Sequence, residues 1–389
     1  MGAPSTPNPS LAAATRSGGG AATPIPRRKS ATTRLSVWPP LSPGVYGHRS
    51  RPLPFPLEEA TCRLFALGRH ALWHGARAIG LQPGDEVLAP AYHHGSEIEA
   101  LARLGLTFGF YAAGDDLEPV ESELESLRGE RTRALLLIHY LGFPQRMLHW
   151  RRWCDERDLL LIEDAAQAWL AADTAPVGSA GDVAVFCLYK TFGLPDGAAL
   201  VSRSAAPAPP GAPGRSIARV ARRHAAWARS RIPLPPGRSK EMVAPDRSAA
   251  ADDFTLGDPI GPVPGTSFLL RRLDQDAAAR RRGNYEALLA RLQKWVPPPF
   301  ARLPAGASPF VFPVESDDKQ AILHRLSTAG INAFDFWSFG HSLVEPGRFE
   351  AVERRRNRTV GLPVHQELRG RDVERIATVA SEALEEALR

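Results

Sequence analysis

Cysteine is scarce in this chain, and lysine is far scarcer than arginine: three cysteines, Cys62, Cys154 and Cys187, lie far apart, and five lysines stand against 43 arginines. Thiols that are odd in number and widely spaced make neither a disulfide framework nor a zinc site, so no metal is expected and a reducing cytoplasm is the default compartment. No uninterrupted apolar run approaches the ~18 residues of a membrane span, which argues against a membrane partner. Arg27-Arg28-Lys29 is followed by no apolar core, so an export signal is not expected. Acidic residues are missing from two stretches: residues 1–57 hold seven basic side chains, and residues 203–240 hold nine, with no carboxylate in either. With those sixteen charges set aside, the rest of a chain of net charge +6 carries −10. The pI near 9.5 therefore belongs to two Pro-, Ala- and Arg-rich segments and not to a folded face, which argues against a nucleic-acid partner.

What remains is long enough for one large or two medium domains. Residues 1–55 are rich in Gly, Ser and Pro with almost no periodicity and read as a disordered leader. A helical pattern from Ala60 runs through "TCRLFALGRHALWHGARAIGL" and closes at the turn "QPGDE". Short strands follow at "EVLAP" and "TFGFYAA", with the helix "SEIEALARLGL" between them. "ALLLIHY" and "LLLIEDA" are near-continuous apolar runs, the pattern of strands buried on both faces of a sheet. They flank the amphipathic "RMLHWRRWCDERD", and "DVAVFCLY" and "AALVSR" continue the strands. Strands alternating with helices predict an α/β chain with a mostly parallel sheet. This large unit spans 56–265 and is interrupted over 204–255 by a Pro-, Ala- and Arg-rich insertion, in which 216–229 has the pattern of a basic helix. A long helix from Thr266 to Trp295 leads into a compact strand–helix–strand–helix unit, so that residues 266–389 form a small C-terminal α/β domain.

In a chain this poor in lysine, "FCLYKTFGLPDGAAL" places one, Lys190, at the end of an apolar strand and before a turn. A lysine there can be a charge, a phosphate ligand or a nucleophile that forms a Schiff base with a carbonyl. Pyridoxal phosphate is the common carbonyl partner and requires an acidic side chain against its ring nitrogen. The strand "LLLIEDAAQAW" ends in Glu163-Asp164, and in open α/β sheets the carboxyl edge of the strands is where ligands bind. Two strand ends about 26 residues apart can present their side chains to one cleft.

The segments "GLQPGDEVLAPAYHHGSEIEALARLG", "IHYLGFPQ", "LIEDAAQAW", "GDVAVFCLYK" and "GLPVHQEL" resemble, in that order, the DegT/DnrJ/EryC1/StrS family of pyridoxal-phosphate-dependent sugar aminotransferases. The resemblance runs from about Ala60 to Arg389 apart from the insertion, and it implies the aspartate-aminotransferase-like fold (fold type I). It implies that Lys190 binds the cofactor and shuttles the proton, that Asp164 meets the ring nitrogen, and that Gln167 lies near the ring hydroxyl. His94 falls where the family stacks an aromatic ring, and Gly68, Arg69 and His70 fall at the phosphate-binding turn. Cys187 takes the place of a serine that binds the phosphate, and His341 resembles a histidine near the substrate. The resemblance further implies a homodimer, with glutamate or glutamine as amino donor and a keto group of a nucleotide-linked sugar as acceptor.

Several residues depart from that pattern. Arg69-His70 replaces a Gly-Thr pair, and Cys187 is a poorer phosphate donor than serine. Lys190 comes two residues early, and "TLGDPIGPVPGTS" shows no asparagine of the kind that crosses from the partner subunit. Two other readings stay open: different pyridoxal chemistry on the same fold, or a cofactor-free scaffold with basic arms in a biosynthetic assembly. The retained Lys190 and Asp164 oppose the scaffold, and Lys190 also opposes the dehydratase branch, which replaces the lysine.

Overall fold

A computed structural model describes residues 33–204, 211–213, 217–233, 254, 256–258, 260–274 and 276–388. The apolar runs form the sheet that the sequence predicts. Its order is Arg63–Phe65, Ala198–Ser202, Val183–Cys187, Leu160–Asp164, Thr132–Ile138, Glu86–Pro90, Thr107–Tyr111. Every strand except Ala198–Ser202 runs in the same direction. Parallel neighbours need crossovers, and the helices Ser96–Ala102, Glu121–Leu127 and Met147–Asp155 supply three of them. Helices on the sheet faces explain why Ala134 to Leu137 and Leu161 to Glu163 are buried on alternating sides without a polar face. From Glu86–Pro90 the chain first adds the outer strand Thr107–Tyr111, then returns to add Thr132–Ile138 on the other side. That reversal opens a crevice beyond the carboxyl ends of the central strands.

The described part of residues 1–55 departs from the expected disordered leader. Leu35–Ser36 pairs in parallel with Ile331–Asn332, and Leu35, Val37, Leu41 and Val45 are buried. The alternation of Leu35 and Val37 is a strand signal that the surrounding Pro and Ser obscure. Residues 1–32 lie outside the described residues, as does most of the 204–255 insertion. The basic helix does form, over Ile217–Arg231, and it docks on the leader. His224 Nδ1 lies 3.0 Å from the Leu41 carbonyl, and the Arg34 amide donates to the Arg229 carbonyl at 3.2 Å.

Two further boundaries differ. The helical pattern from Ala60 conceals an edge strand, Arg63–Phe65, and the helix itself runs Gly68–Ala78. Pairing with Ala198–Ser202 decides the matter, because it satisfies backbone groups that an isolated helical turn would leave at the sheet edge. The expected long helix is two helices, Thr266–Leu270 and Ala277–Leu292, followed by a short 3-10 turn. Asp274 breaks it by accepting the Asp276 amide at 3.0 Å, a local bond that competes with helix. The C-terminal sheet, Val311–Glu315, Thr359–Pro363 and Phe334–Asp335, is antiparallel and backed by Lys319–Thr328 and Gly370–Glu386. Its buried Phe312, Val314 and Leu362 join one apolar cluster with Val87, Ile138 and Tyr285, so the C-terminal part packs directly against the large sheet.

Candidate active site

Asp164 ends its strand beside Ile138 on one side and Val185 on the other. The next strand carries the chain through Cys187 into the one-turn helix Leu188–Thr191, which holds Lys190. Both side chains line a cavity of about 310 Å3 at the carboxyl edge of the sheet. Gln167, His94, Gly68, Arg69 and Cys187 line the same cavity. Among the described residues the Lys190 amine makes no hydrogen bond or ion pair. It stands close enough to Asp164 for its charge to act on that carboxyl.

Burial pushes Asp164 up to about 6, and the nearby Glu97 carboxylate adds to this. Lys190, the Ala166 amide (2.8 Å) and His139 act in the opposite direction without offsetting the burial. A carboxyl held in that state is ready for a cationic partner. Behind it, Glu163 is fully buried and accepts the Ala180, Gly178 and Gly181 amides, the first two at 2.9 and 3.1 Å. The His139 ring donates from Nε2 to Glu163 at 2.9 Å while its Nδ1 accepts the Gln145 amide at 3.0 Å, which fixes the tautomer. Gln167 Oε1 accepts the Leu141 amide at 2.9 Å, tying the start of the next segment to the loop after Ile138.

Arg281 secures the lysine from below. Its side chain is fully buried and donates to Gln366 Oε1 at 2.8 Å, to the Pro309 carbonyl at 2.8 Å and to the Thr191 carbonyl at 2.5 Å, with a longer contact to the Lys190 carbonyl. Gln366 Nε2 also donates to the Thr191 carbonyl, at 3.1 Å. Burial lowers the guanidinium to about 9. The "VHQEL" segment and the helix Ala277–Leu292 thus converge on the two residues at the end of the lysine's turn.

At the other end of the cavity, the first turn of Gly68–Ala78 meets Cys187. A Cβ on Gly68 would stand 2.7 Å from Cys187 Sγ, and burial raises the thiol, which is hydrogen-bonded to the Gly68 amide and to Tyr189. Arg69 lines the cavity, but His70 does not. Its Nε2 lies 2.7 Å from the Leu256 carbonyl and its Nδ1 3.5 Å from the Ile260 amide, so the ring braces the segment behind the helix. A helix places consecutive side chains about 100° apart, and Arg69 and His70 accordingly face different ways.

The paired histidines also part. His93 is fully buried, with Nδ1 donating to the Pro90 carbonyl at 2.8 Å and Nε2 accepting the His341 amide at 3.1 Å. His94 faces the cavity with its ring edge-on to Phe254 (5.4 Å) and Trp337 (6.3 Å). Glu97 accepts the His94 and Gly95 amides at 2.9 and 3.1 Å. Burial raises its carboxyl, but the rings of His94 and His93 and the donated amides outweigh that and hold it low. His341 lies outside the cavity: Nε2 meets Glu99 at 3.0 Å, in a neighbouring groove with Phe254 and Val344.

Trp38, Glu97, His139 and Tyr189 line the cavity without having been singled out in the sequence. The "YHHGSE" turn offers a signal for Glu97, since a carboxylate in a helix's first turn can cap the preceding amides. His139 directly follows the apolar strand Thr132–Ile138, whose Leu137 is in register with Glu163. Trp38 offers none, because it reaches the site from a Pro-rich segment remote in sequence.

A mostly parallel seven-stranded sheet, helices on its faces and a small antiparallel C-terminal sheet form the aspartate-aminotransferase-like fold. The aminotransferase TlmJ from Streptoalloteichus hindustanus superimposes with a TM-score of 0.63 at 22% identity, over 91% of this chain and 99% of that one. PseC of Helicobacter pylori, an aminotransferase of pseudoaminic acid biosynthesis, superimposes with a TM-score of 0.63 at 17% identity, over 92% and 100%. Residues 60–208 match the model of the DegT/DnrJ/EryC1/StrS aminotransferase family. Over 141 residues the chain is 30% identical to the GDP-perosamine synthase of Vibrio cholerae, covering 35% of this chain and 38% of that enzyme. Over 140 residues it is 34% identical to the dTDP-3-amino-3,4,6-trideoxy-alpha-D-glucose transaminase of Streptomyces venezuelae, covering 35% and 37%. The matched part thus spans well under half the length of these relatives. No described helix is long and apolar enough to cross a membrane, and no metal-ligating cluster occurs among the described residues.

Proposed function

We propose that the chain is a pyridoxal-phosphate-dependent aminotransferase that moves an amino group from glutamate or glutamine to a keto group of a nucleotide-linked sugar. The observation that carries this reading is that Lys190 and Asp164 line one cavity at the carboxyl edge of the sheet. The donor set fits the cofactor: an amine for its carbonyl, a half-buried carboxyl for its ring nitrogen, and the Gly68 turn with Arg69 for its phosphate. Pyridoxal phosphate, when bound, supplies an electron-accepting ring. Asp164 holds a proton at the ring nitrogen, and the pull of that cation brings its own raised carboxyl down to the ionised form. Gln167 and His94, which line the same cavity, would contact the ring. Lys190 would hold the cofactor's carbonyl carbon and serve as the proton-carrying base beside it, kept in position by its short helix and the Arg281 bonds beneath. Trp38, Phe310 and Trp337 wall the cavity and exclude water.

The nucleotide-sugar names of relatives matched over about a third of the chain support the acceptor class. The family resemblance supports a homodimer and the amino donor, and the reducing cytoplasm fits the free Cys62, Cys154 and Cys187. The test is the donor half-reaction: glutamate or glutamine added to cofactor-loaded protein should bleach its visible absorption and yield one keto acid per site. An unchanged spectrum with both donors would remove the aminotransferase reading.

A further inference from the structure

A second cavity, about 510 Å3, adjoins the first and shares Trp38, Leu67 and Tyr189 with it as a common wall. Its far side is the helix Ile217–Arg231, which contributes Arg219, Arg222, Arg223 and Ala226. These positions follow i, i+3, i+4, i+7 spacing, so a single helix face presents three guanidiniums to the pocket. Asp196, the one acid among the described lining residues, is engaged: it pairs with Arg219 at 3.0 Å and accepts the Val263 amide at 3.0 Å. Arg223 is half-buried, and among the described residues its guanidinium has neither hydrogen bond nor ion pair. Three arginines against one aspartate leave the pocket at +2. Burying an unpaired cation is costly, and a site that retains one usually meets an anion. Planar guanidiniums in this number suit phosphoryl oxygens, while Trp38 and Tyr189, 6.3 Å apart between ring centres, give the pocket an aromatic side.

We infer that this pocket receives the diphosphate of the nucleotide-linked acceptor, gripped by Arg222 and Arg223, with the sugar reaching past Trp38 towards Lys190. The inference rests on the proposed aminotransferase reading for the substrate class, but the charge and shape of the pocket are independent of it. A diphosphodiester carries two negative charges, which match the pocket. The segment that looked like an insertion in the sequence thereby becomes a wall of the substrate site. The phosphate of the cofactor is the other phosphoryl group that could reach these arginines, and the experiment separates the two.

Cofactor-loaded full-length protein is titrated with uridine diphosphate and with inorganic pyrophosphate by calorimetry, alongside Arg223→Ala, Arg223→Lys and Arg222→Ala variants. Affinity for pyridoxal phosphate is measured in parallel from the visible absorption. Arg223→Ala is expected to weaken uridine diphosphate about tenfold to a hundredfold, Arg222→Ala less, and Arg223→Lys least, with cofactor affinity changed less than twofold. Binding of the parent should also fall as salt is raised. Loss of cofactor affinity with unchanged diphosphate binding would overturn the inference and give the arginines to the cofactor phosphate. No diphosphate binding by the parent, or equal binding by all variants, would overturn it outright. If Arg223→Ala does not fold, the exposed Arg222 carries the same test. Diphosphate binding with no bleaching by amino donors would leave the pocket standing and remove only the aminotransferase reading.

Discussion

Replacing Asp164 with asparagine should stabilise the cofactor-free protein while destroying its proposed chemistry. In the folded chain the carboxyl is raised from 3.8 to about 6, chiefly by burial and next by Glu97. For an acid raised on folding, the protonated form is the one the fold favours. Its contribution is fully present below the unfolded value and is lost as the pH rises through the folded one. Asp164 therefore costs the fold about 3 kcal/mol at pH 8, where it is ionised, and about 1 kcal/mol at pH 4.5, where folding must protonate it, at 1.36 kcal/mol per tenfold change in ionisation. Asparagine resembles the protonated acid and can still accept the Ala166 amide. Urea unfolding of cofactor-free parent and Asp164→Asn proteins should show a gain of about 3 kcal/mol at pH 8 that shrinks to about 1 at pH 4.5. The same variant should bind pyridoxal phosphate more weakly, because no anion remains to hold the ring proton. An equal gain at both pH values, or a loss at pH 8, would refute the electrostatic reasoning.

Arg281→Ala leaves the Pro309 carbonyl and Gln366 Oε1 without their buried donor and the Thr191 carbonyl with Gln366 Nε2 alone, and should cost about 2–4 kcal/mol in urea unfolding. Gly142→Ala would place a Cβ 2.0 Å from the Ser308 carbonyl oxygen at a φ of +88°, so a loss on the order of 3 kcal/mol is expected. An unchanged melting temperature would show that this loop can move. Burial lowers His93 to about 4 and His365 to about 3. Bases lowered on folding stabilise the fold fully above their unfolded value of 6.5 and lose that contribution as the pH falls. Melting temperature should therefore drop from pH 6.5 towards pH 4, and His365→Gln should flatten the slope.

The sheet was legible because its strands are apolar on both faces. "ALLLI" and "LLLIE" have few other places to go in a chain this size, and the residues that end them must emerge at one edge. Lys190 and Asp164 could therefore be placed together before any distance was known. Side-chain direction was less legible, since it depends on partners remote in sequence. His70 turns to Leu256, and His341 to Glu99, bonds that span 186 and 242 positions. Arg63–Phe65 was hidden because its strand character comes from Ala198–Ser202 and not from its own periodicity. Trp38 was hidden by composition: prolines and serines around it resemble a leader, yet its ring packs 5.6 Å from Phe310 and walls both cavities. Arg281 sits in the basic run "RRRGN", where nothing in the sequence marks one guanidinium as buried.

The central claim is that Lys190 and Asp164 together hold pyridoxal phosphate, and the visible spectrum tests it most directly. Purified protein with added pyridoxal phosphate should develop a yellow absorption band that survives desalting, and Lys190→Ala should not. A band equally strong in the variant would contradict the role given to the lysine. No band in the parent would mean that the fold is retained without its cofactor.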